Sequence, residues 1–320
     1  MVKSLIRILL AAAVALPAAA QDYPAREIRS ICNFSAGSGA DIIVRYYSDR
    51  LSRLAGKPVV VENRAGAQGL LATDFVAKSK PDGYTILITP ASSTLATAPH
   101  IFKSIPFDPI RDFAPVTTIN SLSFVIVVDA AGPLQSVPDL VAHLKRQANH
   151  GFYGTGSNSG QVAAELFKEH AGLRTTYVPY KVTTDALTGL LLGNVAFISY
   201  DATWAVTQAG PGGKVRILAA TSAKRSAALP NVPTLQELGY KDFDITPWWG
   251  VVVPAGTPKP IIDRLARWFN EINAAEDTKA FLARAALDPM PGSPEQMAAL
   301  LKTETERWGR YVSLAKIEKQ

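Results

Sequence analysis

Eight consecutive residues, Phe34-Ser35-Ala36-Gly37-Ser38-Gly39-Ala40-Asp41, concentrate the chain's capacity to bind an anion. A short apolar run over 28–33 precedes them, and a helical pattern over 42–54 follows. A strand that feeds a small turn and then a helix leaves the first helical N–H groups without intrahelical acceptors. The helix dipole adds partial positive charge there, so such a turn takes an anion without a basic side chain. Gly37 and Gly39 permit close backbone approach, and Ser35 and Ser38 add hydroxyl donors. The same residues also suit an ordinary strand-to-helix turn with Asp41 as its cap. A second stretch repeats the logic, with Phe152-Tyr153 leading into Gly154-Thr155-Gly156-Ser157-Asn158-Ser159-Gly160 and a helical pattern over 161–170. Ser92 and Ser93 follow a strand pattern over 85–89, and Asp201 ends another over 195–200. Open α/β sheets bind ligands at such carboxyl ends of strands, although Ser92 and Ser93 equally suit a capped helix start.

Other chemistries find less support. A hydrolase needs a nucleophile, a base and an orienting acid, and the chain has no Gly-x-Ser-x-Gly elbow. Of the four histidines, His143, His150 and His170 fall in or beside helical patterns, which leaves His100 as the one to test. No two histidines stand at the spacing of a helical metal-ligand pair. The Gly154 loop has the wrong glycine spacing for a dinucleotide, and no acidic residue ends the strand over 175–179 to hold a ribose. No cofactor is implied. Cys32 is the only cysteine, so no intramolecular disulfide forms, and its place in a strand pattern reads as a small buried apolar residue. The formal charge of +6 is spread along the chain, which fits a small anionic ligand better than nucleic acid.

The elements that must position these residues alternate. Residues 1–20 read as a secretory signal, with Lys3 and Arg7 before an apolar core and Ala18-Ala19-Ala20 at the cut. Residues 21–320 are then expected outside the cytoplasm, in the periplasm. Strands over 28–33, 58–63 and 85–89 alternate with helices over 42–54 and 70–77, which predicts an α/β sheet with parallel pairs. Residues 106–115 read as an irregular connector. The apolar run over 123–128 crosses into a second lobe, and a strand over 215–221 returns the chain to the first. The spacing of Ile261, Leu265, Trp268 and Ile272 predicts one buried face of a helix. This length suits two lobes better than one core.

In sum these stretches resemble the extracytoplasmic solute receptors of the tripartite tricarboxylate transporter family, also called the Bug family. Its marks are Tyr23-Pro24, the loop over 34–41 with Arg45, Val61-Glu62-Asn63-Arg64 with Gly66 and Gly69, and Pro81-Asp82-Gly83-Tyr84-Thr85. Further marks are Phe107-Asp108, Asp112-Phe113, Val178-Pro179-Tyr180-Lys181, Val232-Pro233-Thr234, Trp248-Trp249-Gly250 and Pro254-Ala255-Gly256-Thr257-Pro258. The chain departs from the family at Ser38 and Ala40, at Ala65 and Gln68 where proline and glycine are common, at Gln161 and at Val182. Asp201 sits one place from a frequent family aspartate.

The resemblance implies a two-lobed periplasmic binding protein fold of type II, each lobe a β-sheet flanked by helices, with the ligand cleft between them. Residues 21–122 with 224–320 would form lobe I, and 123–223 lobe II. It also implies capture of a di- or tricarboxylate, an aromatic carboxylate or an acidic amino acid, followed by delivery to membrane transporter subunits by a monomeric receptor. Partnership with a membrane sensor kinase would use the same loaded state. The residues expected at the ligand are Phe34, Ser35, Ala36, Gly37, Ser38 and Asp41, with Ser92 and Ser93, and from lobe II Thr155, Gly156, Ser157 and Asp201. Phe34 would pack the ligand's apolar body. Asp41 would organise its loop, hold a water or receive an amino group, because a bare carboxylate repels an acid.

Overall fold

The computed structural model describes residues 23–155, 158–180, 183–241 and 243–319, so residues 1–20, expected as a secretory signal, and Gly156, Ser157, Lys181 and Val182 lie outside the described residues. The strands make two sheets. In the first, β1 (Ile28–Cys32) pairs in parallel with β2 (Val59–Asn63) and β3 (Thr85–Thr89). Antiparallel to β3 and β4 (Phe113–Ser121) lies β10 (Trp248–Pro254), and β11 (Asp288–Pro289) closes the edge beside β4. The second sheet places β5 (Phe124–Asp129) antiparallel to both β8 (Phe197–Asp201) and β9 (Val215–Ala220). There β6 (Phe152–Thr155) runs parallel to β7 (Thr176–Pro179) and β8.

Helices cross between strands, as parallel pairs require. With the first sheet go α1 (Gly39–Ala55), α2 (Leu70–Ala77) and the short α3 (Ala98–Ile101). With the second go α4 (Val137–Arg146), α5 (Asn158–Ala171), α6 (Thr183–Leu191) and α7 (Ala202–Gln208). The last part of the chain holds α8 (Lys259–Ala274), α9 (Glu276–Arg284) and α10 (Pro294–Leu314). Every residue of β3 is buried, the pattern of a strand covered on both faces. On α8 the buried face runs through Ile261, Leu265, Phe269 and Ile272. Trp268 is only partly buried and stacks on Tyr23 instead.

The expected connector over 106–115 ends early, because β4 begins at Phe113. Thr117, Thr118 and Asn120 disguise it as a polar stretch, yet all three are buried. Pro115 is tolerated because that end of β4 pairs only with β10, next to a shift in register.

Two segments link the sheets, and hydrogen bonds pin them together. The Phe124 N–H donates to Thr221 Oγ1 at 3.0 Å, and that hydroxyl reaches Ile245 O at 2.8 Å. Ser123 Oγ and Ser222 Oγ lie 2.7 Å apart. Helix α10 reinforces the join, since it packs on β4, on residues 92–97 and on α5 of the second sheet.

Candidate ligand cleft

Between the sheets lies a cleft of about 970 Å³. Asn33, Phe34, Gly39, Ala40, Gln68, Ser93 and Trp249 line it from the first sheet's side, and Ser159, Tyr177, Tyr180, Tyr200, Asp201 and Trp204 from the second's. Among the described lining residues there is no lysine, arginine or histidine. The polar groups that the described lining offers are backbone amides, hydroxyls, side-chain amides and the Asp201 carboxyl.

The loop before α1 spends much of its polarity on itself. Ser38 is the N-cap, accepting the Asp41 N–H at 3.2 Å, and Asp41 reaches back to the Gly37 N–H at 2.8 Å. The expectation of Asp41 as the cap is thus corrected: Ser38 caps, and Asp41 stands three residues into the helix. Asp41 is buried, with Arg45 Nε and Asn63 Nδ2 each donating to it at 2.8 Å. Burial alone would raise its pKa, but these donors outweigh it and lower the carboxyl to about 2. Asp41 organises the loop and does not line the cleft.

Helix α1 starts at Gly39 rather than Ile42, so its first-turn residues Gly39 and Ala40, whose N–H groups have no intrahelical acceptor, are the ones on the cleft lining. Ser35, Ala36 and Gly37 are exposed, and none of residues 35–38 is on the lining. The Ser-x-x-Asp spacing of Ser38 and Asp41 is the sequence signal that locates this start.

Phe34 does line the cleft, stacked on Trp249 with ring centroids 6.0 Å apart. Trp248, its neighbour, turns into the core. Ser93 lines the cleft, but Ser92 is fully buried, accepting the Trp248 N–H at 2.7 Å, and so belongs to the join between β10 and the segment after β3. Asn33 was not expected. It closes β1, is nearly buried, and meets Thr94 Oγ1 at 3.4 Å and Thr89 Oγ1 at 3.3 Å. A polar residue ending an apolar strand was its signal.

On the opposite wall, Asp201 caps α7, accepting the Trp204 N–H at 2.8 Å. Burial raises its pKa, and the Trp204 N–H opposes that. Thr155 is buried at the end of β6 and is not on the lining, whereas Ser159 in the first turn of α5 is. Three tyrosines dominate this wall. Tyr180 packs so closely on Gly154 that a Cβ there would fall 2.8 Å from its ring. Arg64 lies elsewhere, bound to Glu62 at 2.6 Å and over the Phe75 ring. His100 is bonded to Thr305 O at 2.8 Å and is also off the lining. Cys32 is fully buried, and burial raises its thiol pKa.

Two sheets with a cleft between them make a fold with known relatives. Residues 43–316 match the family described as the tripartite tricarboxylate transporter family receptor. This chain belongs to that family. Protein BugT of Bordetella pertussis is 35% identical over 304 residues, covering 94% of this chain and 93% of BugT. Among solved structures, R. palustris Rpa4515 with adipate superposes at a TM-score of 0.82 with 30% identity, covering 93% of this chain and all of that one. The periplasmic binding protein BugD gives a TM-score of 0.78 with 29% identity over the same shares. The receptor is therefore an α/β periplasmic binding protein of the Bug type. Its family is one of solute receptors and not of enzymes.

Proposed function

We propose that this receptor captures a small carboxylate-bearing organic acid in the cleft and delivers it to a tripartite tricarboxylate-type membrane transporter. The observation that carries the reading is the pair of first-turn amides, Gly39 and Ala40, on the wall of a cleft whose described lining holds no basic side chain. Such amides favour a carboxylate, and excluding water strengthens each bond. The similarity to Rpa4515, which was solved with adipate, supports an organic acid of that kind.

In this reading residues 21–122 with 224–320 form one lobe and 123–223 the other, hinged where Thr221 meets Phe124. The distribution of the strands supports it, since the first sheet draws only on 28–121 and 248–289 and the second only on 124–220. Phe34 and Trp249 receive the acid's carbon chain. Ser35, Ala36, Gly37 and Ser38 shape the turn, with Asp41 bracing it, and Ser159 offers a hydroxyl from the opposite wall. A ligand preferring the closed lobes shifts a pre-existing equilibrium toward them. Residues 1–20 direct export to the periplasm, where the receptor acts as a monomer.

The test is a thermal-shift screen of residues 21–320 against di- and tricarboxylates, aromatic acids, amino acids and neutral solutes. An acid at about 100 times its Kd stabilises by roughly 2.7 kcal/mol, several degrees of melting temperature. Stabilisation by neutral solutes alone contradicts the reading.

A further inference from the structure

A second concavity, of about 760 Å³, lies on the first sheet outside the cleft. Helix α2 packs over β1 and β3, while β2 is the edge strand of that sheet. Val60 of β2 pairs in register with Arg29, so both face the α2 side, and Val60 is 47% exposed. The groove lies beside α2 next to this uncovered strip, with Leu71, 59% exposed, on its wall. Its basic side chains are braced. Arg64 and Arg29 lie over the Phe75 ring, 3.6 and 5.1 Å from its centroid, and share the Glu62 carboxylate. Arg26 lies 3.9 Å over the Tyr84 ring and pairs with Asp82 at 3.1 Å. A guanidinium stacked on a ring and sharing one carboxylate keeps further N–H donors, in a fork that fits another carboxylate. Lys78 and Lys80 bring the basic groups to five against the carboxylates of Glu62, Asp74 and Asp82, a surplus of two positive charges. Lys80 is exposed and has no ion-pair partner among the described residues.

The loop over 64–69 separates this groove from the cleft: Arg64 and Ala65 line the one, Gly66, Gln68 and Gly69 the other. We propose that the groove docks an extended acidic segment of a protein partner, its carboxylates on the basic side chains and its apolar side chains against Leu71 and Val60. A phosphate-rich surface, lipid or nucleic acid, suits it less. Glu62, Asp74 and Asp82 stand among the bases and repel a dense array of charge, whereas carboxylates spaced along a peptide avoid them. The place on the cleft's rim suits the membrane transporter of the delivery reading. The identity of the partner rests on that reading, and the chemistry of the groove does not.

Fluorescence anisotropy of a labelled heptapeptide, Asp-Leu-Glu-Val-Asp-Leu-Glu, tests the groove on residues 21–320, beside a counterpart with asparagine and glutamine in place of the acids. Wild type is expected to bind the acidic peptide alone, and added salt weakens the complex. Lys80→Glu and Arg64→Gln each weaken it by about tenfold. Lys145→Glu, the same charge reversal as Lys80→Glu but on exposed α4 of the second sheet, leaves it unchanged. Lys80→Glu keeps the wild-type melting temperature, so it decides alone should Arg64→Gln lower it. Equal loss in Lys145→Glu overturns the proposal, because net charge and not the groove was then read. Wild type that ignores the acidic peptide, or binds its uncharged counterpart as well, overturns it too. So does a groove that binds phosphatidylglycerol vesicles and leaves the peptide free. The acid screen involves none of these residues, so either reading can fail while the other stands.

Discussion

The carboxylate of Asp41 is buried beneath the first turn of α1, where Arg45, Asn63 and the Gly37 N–H all donate to it. Its pKa is lowered to about 2 from a model-compound value of 3.8. A folded value below the unfolded one means that its stabilisation is complete above about pH 4 and is lost as pH falls toward 2. Half-exposed Arg45 screens part of the interaction, which leaves roughly 1–2 kcal/mol. Asp41→Asn is expected to lower the unfolding free energy by that amount at pH 7, read from urea melts, and to flatten its dependence on pH between 4 and 2. Equal acid limbs in the two proteins would show that the carboxylate does not brace the loop.

At the scale of elements, the junction of β4–β5 with the segment after β9 is the most economical point to perturb. Thr221→Val keeps the side-chain shape and removes the acceptor of the buried Phe124 N–H. A loss of about 1–3 kcal/mol in unfolding free energy is expected, read from denaturant melts. Most elements were legible because apolar periodicity carried them: β1, β3, α2 and β9 lie within a residue or so of where the pattern put them. Strand β4 was hidden because its buried positions are threonine and asparagine, which read as surface until tertiary hydrogen bonds account for them. The cleft wall was legible where a turn follows a strand, as at Phe34 and Ser93. It was not legible where placement depends on which side of a helix faces the other sheet. Ser92 and Ser93 are adjacent and identical in type, yet the chain's path seals one and leaves the other on the cleft. The three tyrosines of the far wall carried no spacing signal, since aromatic residues in or just after strands are equally at home in a core.

At the scale of the whole molecule, the account requires that an organic acid bind between the two sheets and nowhere else. Gly39 offers a clean way to test this. It lines the cleft, its φ is ordinary, and a Cβ added there meets nothing within 4 Å. Gly39→Phe should therefore fold as wild type while placing a ring over the first-turn amides. The deciding measurement is calorimetric titration of both proteins with the acid that ranks first in the thermal-shift screen. The account predicts at least a tenfold loss of affinity in Gly39→Phe with an unchanged ligand-free melting temperature, equivalent to about 1.4 kcal/mol of binding free energy. Undiminished binding by the variant would place the acid outside the cleft and contradict the account.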